Sequence, residues 1–141
     1  MVRARLLKRF VLMSESGEGY MSKVEEKCFA QVTLALEDDE DLLISSHALK
    51  GLREGIVALT NKRIITITCK RRWSAPELEA IDLRSLHSVK YLNPSPSRSI
   101  TKNQLLVECQ SRTERFTLIG EGARGERWCN SVMDAVRKLD R

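Results

Sequence analysis

The chain is poor in the residues from which catalytic and metal centres are built. Its only two histidines, His47 and His87, stand beside no cysteine, serine or acid at the spacing of a triad or a metal site. Four cysteines, Cys28, Cys69, Cys109 and Cys129, form no C-x-x-C pair, which removes the spacing argument for a zinc knuckle or a dithiol redox motif. They are expected as small, reduced, buried apolar residues. No apolar run approaches the roughly 20 residues needed to span a bilayer, and no secretory leader is apparent, so a cytoplasmic setting is expected. Phosphate loops are missing too: "GEGARG" at 120–125 lacks a preceding strand unit and the Walker lysine, and reads as a helix entry. With two Trp, two Tyr and three Phe, a stacking platform for nucleic acid is not apparent, so nucleic acid is expected to bind only unspecifically to a basic patch. No enzyme activity, cofactor or metal is expected.

What the chain does hold is one domain's worth of apolar residues and a mild excess of cations. With 141 residues, 42% hydrophobic and 30% charged, it can bury a single substantial core. A net charge of +5 favours acidic partners such as phosphates, anionic lipid or nucleic acid.

The opening stretch carries Arg3, Arg5, Lys8 and Arg9 among Leu6, Leu7, Phe10 and Val11, a pattern compatible with a short basic amphipathic membrane anchor or with a flexible leader. A third reading follows from Gly17-Glu18-Gly19, whose codons are purine-rich and can spell a ribosome-binding site one residue ahead of Met21. The expectation is a basic leader over residues 1–20, flexible or, with Met21 as the true start, not native, and a single domain over residues 21–141.

Within the domain, Ser22-Lys23-Val24-Glu25 fits a capping box, and Val24, Cys28, Val32 and Ala35 follow at helical spacing, predicting a helix over about 23–36. The acidic run Glu37–Asp41 opposes the helix macrodipole and ends it. The period then shortens to two. "DLLISSHAL", "GIVALT" and "RIITITC" predict three antiparallel strands, the second and third joined by the turn Thr60-Asn61-Lys62-Arg63, where asparagine tolerates a positive φ. Two further strands are predicted over about 77–83 and 87–92, and two more in "QLLVEC" and "ERFTLIG", with a proline-bearing loop between the pairs. After Gly120, Trp128, Val132, Ala135 or Val136, and Leu139 form one stripe of an amphipathic helix over about 123–140.

Seven antiparallel strands followed by a helix, with a second helix ahead of them, resemble the bacterial pleckstrin-homology-like (PH-like) domains. The most telling residues are Val57-Ala58-Leu59-Thr60-Asn61-Lys62-Arg63-Ile64-Ile65, similar to that family's typical hairpin, and Ile81, Leu83, Leu86, Ser88 and Val89, similar to a later segment. The resemblance covers roughly residues 23–140 and implies an α+β, mainly β fold: a partly open seven-stranded barrel capped by the C-terminal helix, with an additional N-terminal helix. On this reading Ile56, Ala58, Ile65 and Ile67 line the barrel and Trp128 plugs it.

The expected function is a non-catalytic interaction module. In an up-and-down meander, the bends after the first and third strands emerge at one end, gathering Lys50, Arg53, Lys70, Arg71, Arg72 and Trp73; the resemblance adds Arg112 from the bend between the last two strands. Such a rim could attract an anionic leaflet at the inner face of the membrane. The favoured alternative is a protein-binding adaptor, which takes a peptide by strand addition between the fifth strand and the C-terminal helix, near Lys90 and Tyr91. Self-association through the same edge is a further option.

Overall fold

The computed structural model describes residues 23–71, 73–92, 104–119 and 123–139, apart from the side chains of 123 and 124. Helix α1 (Lys23–Ala35) leads into strands β1 (Leu42–Lys50), β2 (Arg53–Thr60), β3 (Arg63–Cys69) and β4 (Glu77–Asp82). A 3-10 turn (Leu83–Ser85) precedes β5 (Leu86–Leu92), β6 (Gln104–Cys109) and β7 (Thr113–Leu118), and helix α2 (Ala123–Leu139) closes the order. The strands form one antiparallel sheet in the order β4-β3-β2-β1-β7-β6-β5. β1 joins the two halves through Ala48↔Leu118 and Leu49↔Thr117. The sheet ends at β4 and β5, which are linked in sequence by the 3-10 turn but not paired, so the barrel stays open along that seam.

α2 closes the barrel from inside. Its stripe of Trp128, Val132 and Ala135 is buried among Val57, Leu59, Ile64, Leu105, Val107 and Phe116. Trp128 is fully buried, and its indole N–H donates to Ser46 Oγ at 2.9 Å, which satisfies the one polar group so large a ring brings into a core. At the start of the helix the Tyr91 ring occupies the place that a Cβ on residue 125 would need, so only glycine allows α2 to lie this close to β5.

One expectation about the interior is overturned. Ile56, Ala58, Ile65 and Ile67 do not line the barrel; they face outward and form a second apolar layer with Val24, Cys28, Phe29, Val32 and Leu36. The register pairs Ile56↔Ile67 and Ala58↔Ile65 on one face and Leu59↔Ile64 on the other, so a strand with period two has two apolar faces here. α1 covers the outer one. Both β2 and β3 are buried almost throughout, as strands sandwiched between two layers must be.

The backbone settles the type of the turn at Thr60–Arg63, which the sequence leaves open. Asn61 has no positive φ; among the described residues only Gly51, with φ 63°, takes the left-handed region. Instead the Thr60 hydroxyl accepts from the backbone N–H of Lys62 and of Arg63, both at 3.0 Å, and holds the turn from within. Ser22, expected as the helix cap, the leader, and the proline loop lie outside the described residues. Glu25, its proposed capping-box partner, points toward His47, with Oε1 3.7 Å from Nδ1.

Candidate functional site

The two ends of β2 define two poles of different chemistry. At the end where Thr60 enters the turn, an acidic clasp holds α1 to the barrel. Glu40 is fully buried, and its carboxylate accepts from Arg63 Nε at 2.9 Å, Arg63 Nη2 at 3.0 Å and the Thr60 hydroxyl at 2.6 Å. Burial pushes the Glu40 carboxyl up, but the hydrogen bonds from Arg63 and Thr60 outweigh it and hold the group below its ordinary range. Arg63 Nη2 also donates to the Ala35 carbonyl at 2.8 Å, placing a cation on the C-terminal end of α1. Lys62 bridges Glu37 at 3.0 Å and Asp39 at 2.8 Å, and the Asn61 side chain accepts from the Asp41 N–H at 2.8 Å. The hairpin turn that most resembles the PH-like family is thus a structural clasp, and the acidic run is its counterpart.

The opposite pole carries the cations singled out from the sequence. The tip of the β1–β2 hairpin places Lys50 opposite Arg53, and the pairing Glu54↔Cys69 brings Lys70, Arg71 and Trp73 to the same end. Arg112 joins them from the β6–β7 bend, sharing Glu79 and Glu114 with Lys50. Arg72 lies outside the described residues.

The pole divides into two parts. Lys50 lies 3.0 Å from Glu79 and 3.1 Å from Glu114, Arg112 lies 3.0 Å from Glu114, and Arg53 pairs with Glu77. The hydrogen bond from Lys50 in particular holds the Glu79 carboxyl below its ordinary value. These three cations are neutralised within the chain. Lys70 and Arg71 are exposed and have no acid partner among the described residues. Beside them Trp73 is 77% exposed, and Leu52, at the hairpin tip next to Gly51, is 100% exposed. A cavity of about 170 Å³ separates this group from the start of α1, lined by Leu52, Glu54, Cys69, Lys70 and Arg71 with Lys23 and Val24.

Sequence reasoning missed two features of this pole. Glu77 and Glu79 recur at a spacing of two on β4, a signal of one acidic face that stands against the cations. Leu52 was visible as an apolar residue directly after a turn glycine.

The edge between β5 and α2, expected as a peptide groove, is closed along part of its length. Tyr91 lies across Gly125, and the Cys129 thiol donates to the Val89 carbonyl at 3.7 Å. Lys90 is exposed and lies 3.4 Å from Glu108.

The histidines and cysteines do not converge. His47 Nε2 is 2.6 Å from Glu54 Oε2, His87 is exposed on β5, and Cys69 lies in the outer layer with Cys28, the two sulfurs 3.8 Å apart. Burial, with Cys69 adding to it, pushes the Cys28 thiol up to about 12, which keeps it protonated and a poor nucleophile. No group of three or more acids, cysteines or histidines suited to a metal occurs among the described residues.

The architecture is that of a PH-like domain. The chain matches no protein-family model and no curated protein. Solved structures share its fold. The hSac2 domain of the human phosphoinositide phosphatase Sac2 aligns with a TM-score of 0.62 at 9% identity, over 84% of this chain and 86% of that one. The Vps36 N-terminal PH domain gives 0.53 at 14% identity, over 74% and 84%. A DUF1696 family protein with a pleckstrin-homology domain from Shewanella loihica PV-4 gives 0.55 at 9% identity, over 79% and 92%. Such likeness shows the fold and not what the chain binds. Among the described residues no helix is long and apolar enough to cross a membrane.

Proposed function

We propose that this PH-like module is non-catalytic and docks peripherally on anionic membrane surfaces, as a cytoplasmic protein at the inner face, through the pole that carries Leu52, Lys70, Arg71 and Trp73. The observation that carries this reading is the fully exposed Leu52 with the largely exposed Trp73, on two neighbouring bends, beside two cations free of acid partners among the described residues. An aromatic and an aliphatic tip enter the interfacial region, while each flanking Lys or Arg near the leaflet contributes about 1 kcal/mol. Lys50, Arg53 and Arg112 contribute less on this account, because Glu77, Glu79 and Glu114 already compensate their charge.

Co-sedimentation with vesicles of neutral lipid, and of neutral lipid doped with phosphatidylserine, tests the proposal. Retention on the anionic vesicles should fall with salt and drop at least about tenfold in Lys70→Glu/Arg71→Glu, as two reversed cations imply. Arg53→Gln should cost much less. Undiminished retention by Lys70→Glu/Arg71→Glu would defeat the assignment.

A protein partner is the second reading, and one observation favours it: β5 ends the sheet and pairs with β6 alone, which leaves an edge for strand addition near Lys90 and Tyr91. The filled contacts at Gly125 and Cys129 shorten the accessible edge. A partner that binds there should be lost on Tyr91→Asp and kept in Lys70→Glu/Arg71→Glu.

A further inference from the structure

The outer layer holds two thiols that the proposed docking does not use. Cys28, midway along α1, and Cys69, the last residue of β3, are both buried, and their sulfurs lie 3.8 Å apart, in van der Waals contact across the boundary between helix and sheet. Cys109 and Cys129 pack against the inner layer instead. The two sulfurs of the pair differ in access. Cys28 has no exposure, whereas Cys69 lines the cavity of about 170 Å³ at the basic pole, together with Leu52, Lys70 and Arg71. That volume admits a molecule little larger than water, such as hydrogen peroxide. Burial, and then the charge of a Cys69 thiolate, keep the Cys28 thiol protonated. Cys69 is therefore the sulfur that meets an oxidant first, and its oxidation removes the charge that opposes Cys28.

We propose that Cys28 and Cys69 are a peroxide-sensitive modification site, whose reversible disulfide staples α1 to β3. The deprotonated Cys69 sulfur attacks one oxygen of hydrogen peroxide; an S–O bond forms, the O–O bond breaks, and the leaving hydroxide takes up the thiol proton as water. The Cys28 sulfur then attacks the Cys69 sulfenic sulfur, forming the S–S bond and breaking the S–O bond, and the Cys28 proton leaves with that hydroxyl as a second water. Two thiols and one peroxide thus become one disulfide and two waters, the sulfurs giving up the two electrons that the peroxide oxygens accept. A dithiol reductant undoes the link by thiol–disulfide exchange and ends as its own cyclic disulfide. The sulfurs close from 3.8 Å to the roughly 2 Å of the bond by a small approach of α1 to β3. Transient links of this kind are the usual disulfides of a reducing compartment. Cys69 directly precedes Lys70 and Arg71, so the link also ties the bend carrying those cations to α1. The site does not depend on what that bend binds.

Peroxide treatment of the folded full chain, followed by alkylation in denaturant, digestion and mass spectrometry, tests the site. The peptide bearing Cys28 should be recovered joined to the peptide bearing Cys69, with the loss of two hydrogens, and Cys109 and Cys129 should take no part in the link. Dithiothreitol should restore both thiols. In Cys28→Ala, dimedone should trap the Cys69 sulfenic acid; in Cys69→Ala, Cys28 should stay a free thiol, both variants being matched to wild type by circular dichroism. Hydrogen exchange of the α1 amides should be at least about thirtyfold slower in the linked wild type than in the reduced one, the low end of what a cross-link commonly gives. The linkage and exchange readings on the wild type need no substitution in the core. Vesicle retention of the reduced chain reads the membrane proposal separately, so the two stand or fall apart. Free thiols at Cys28 and Cys69 after peroxide, a link through Cys109 or Cys129, no Cys69 adduct in Cys28→Ala, or unchanged α1 exchange in the linked chain would each overturn the proposal.

Discussion

At the residue scale, the strongest commitment of the chain is the buried Glu40. A carboxylate with no solvent exposure is stable only because Arg63 meets it with two donors and Thr60 with a third. Arg63→Met leaves that charge without its countercharge and removes the donor to the Ala35 carbonyl, so urea unfolding should show a loss of about 3–5 kcal/mol. Replacing both partners with apolar residues should cost less than Arg63→Met alone, because no charge is then stranded. The pH dependence follows from the direction of the shift. The folded carboxyl is held below its ordinary value of 4.5, so its contribution is complete above that value and is lost as pH falls through the lower, folded one. Glu40→Gln should flatten the acid side of the stability profile; an unchanged slope would show that the clasp does not govern it. Gly125 makes a steric commitment of the same local kind. Gly125→Ala should cost about 1–3 kcal/mol by overpacking against Tyr91, and most of the loss should disappear in a Tyr91→Ser background.

At the scale of elements, hydrophobic periodicity revealed the strands and helices but left their faces ambiguous. All seven strands and both helices follow from period two, period 3.6 and turn residues, because those signals are local. Which face of β2 and β3 looks inward is not local. "GIVAL" and "IITIT" are apolar on both faces, and an unbroken run of this kind signals a strand covered on both sides. That cue, joined to the amphipathic α1, identifies the outer layer without coordinates. The candidate site was legible to the same degree. Lys50, Arg53, Lys70 and Arg71 follow from the alternation of bends and Arg112 only from the family resemblance, whereas the acids that neutralise Lys50, Arg53 and Arg112 come from β4 and β7, brought near only by the curl of the sheet. Packing of α1 on the outer layer makes Phe29 a test of the corrected face. Phe29→Ala should destabilise by about 3–5 kcal/mol, as expected for a core phenylalanine, although it lies outside the barrel. A loss below about 1 kcal/mol, typical of surface positions, would put the helix off the sheet.

At the scale of the whole molecule, β2 and β3 are the wall between two apolar layers, one inside the barrel with α2 and one outside with α1. The layers differ in how they are tied down. α2 is enclosed by strands from both halves of the sheet, so it cannot leave without opening the barrel. α1 packs mainly on two neighbouring strands and is otherwise fastened by discrete polar contacts: Arg63 to Ala35, Glu25 near His47, and Lys27 Nζ donating to the Ser74 carbonyl at 2.9 Å. A unit with fewer enclosing contacts opens at lower free energy than the global transition. Native-state hydrogen exchange should therefore find the amides of α1 exchanging through a sub-global opening, ahead of those of α2 and of β2 and β3. Arg63→Met should lower the α1 opening free energy and leave the difference between α2 and β6 almost unchanged. Since α1 begins beside Lys70 and Arg71, its release would also reshape the small cavity at the pole proposed to face the membrane, linking the clasp at one end of β2 to the docking surface at the other. Exchange of α1 and α2 at one common free energy would show instead that both layers break together, and the two poles would then be coupled only through global unfolding.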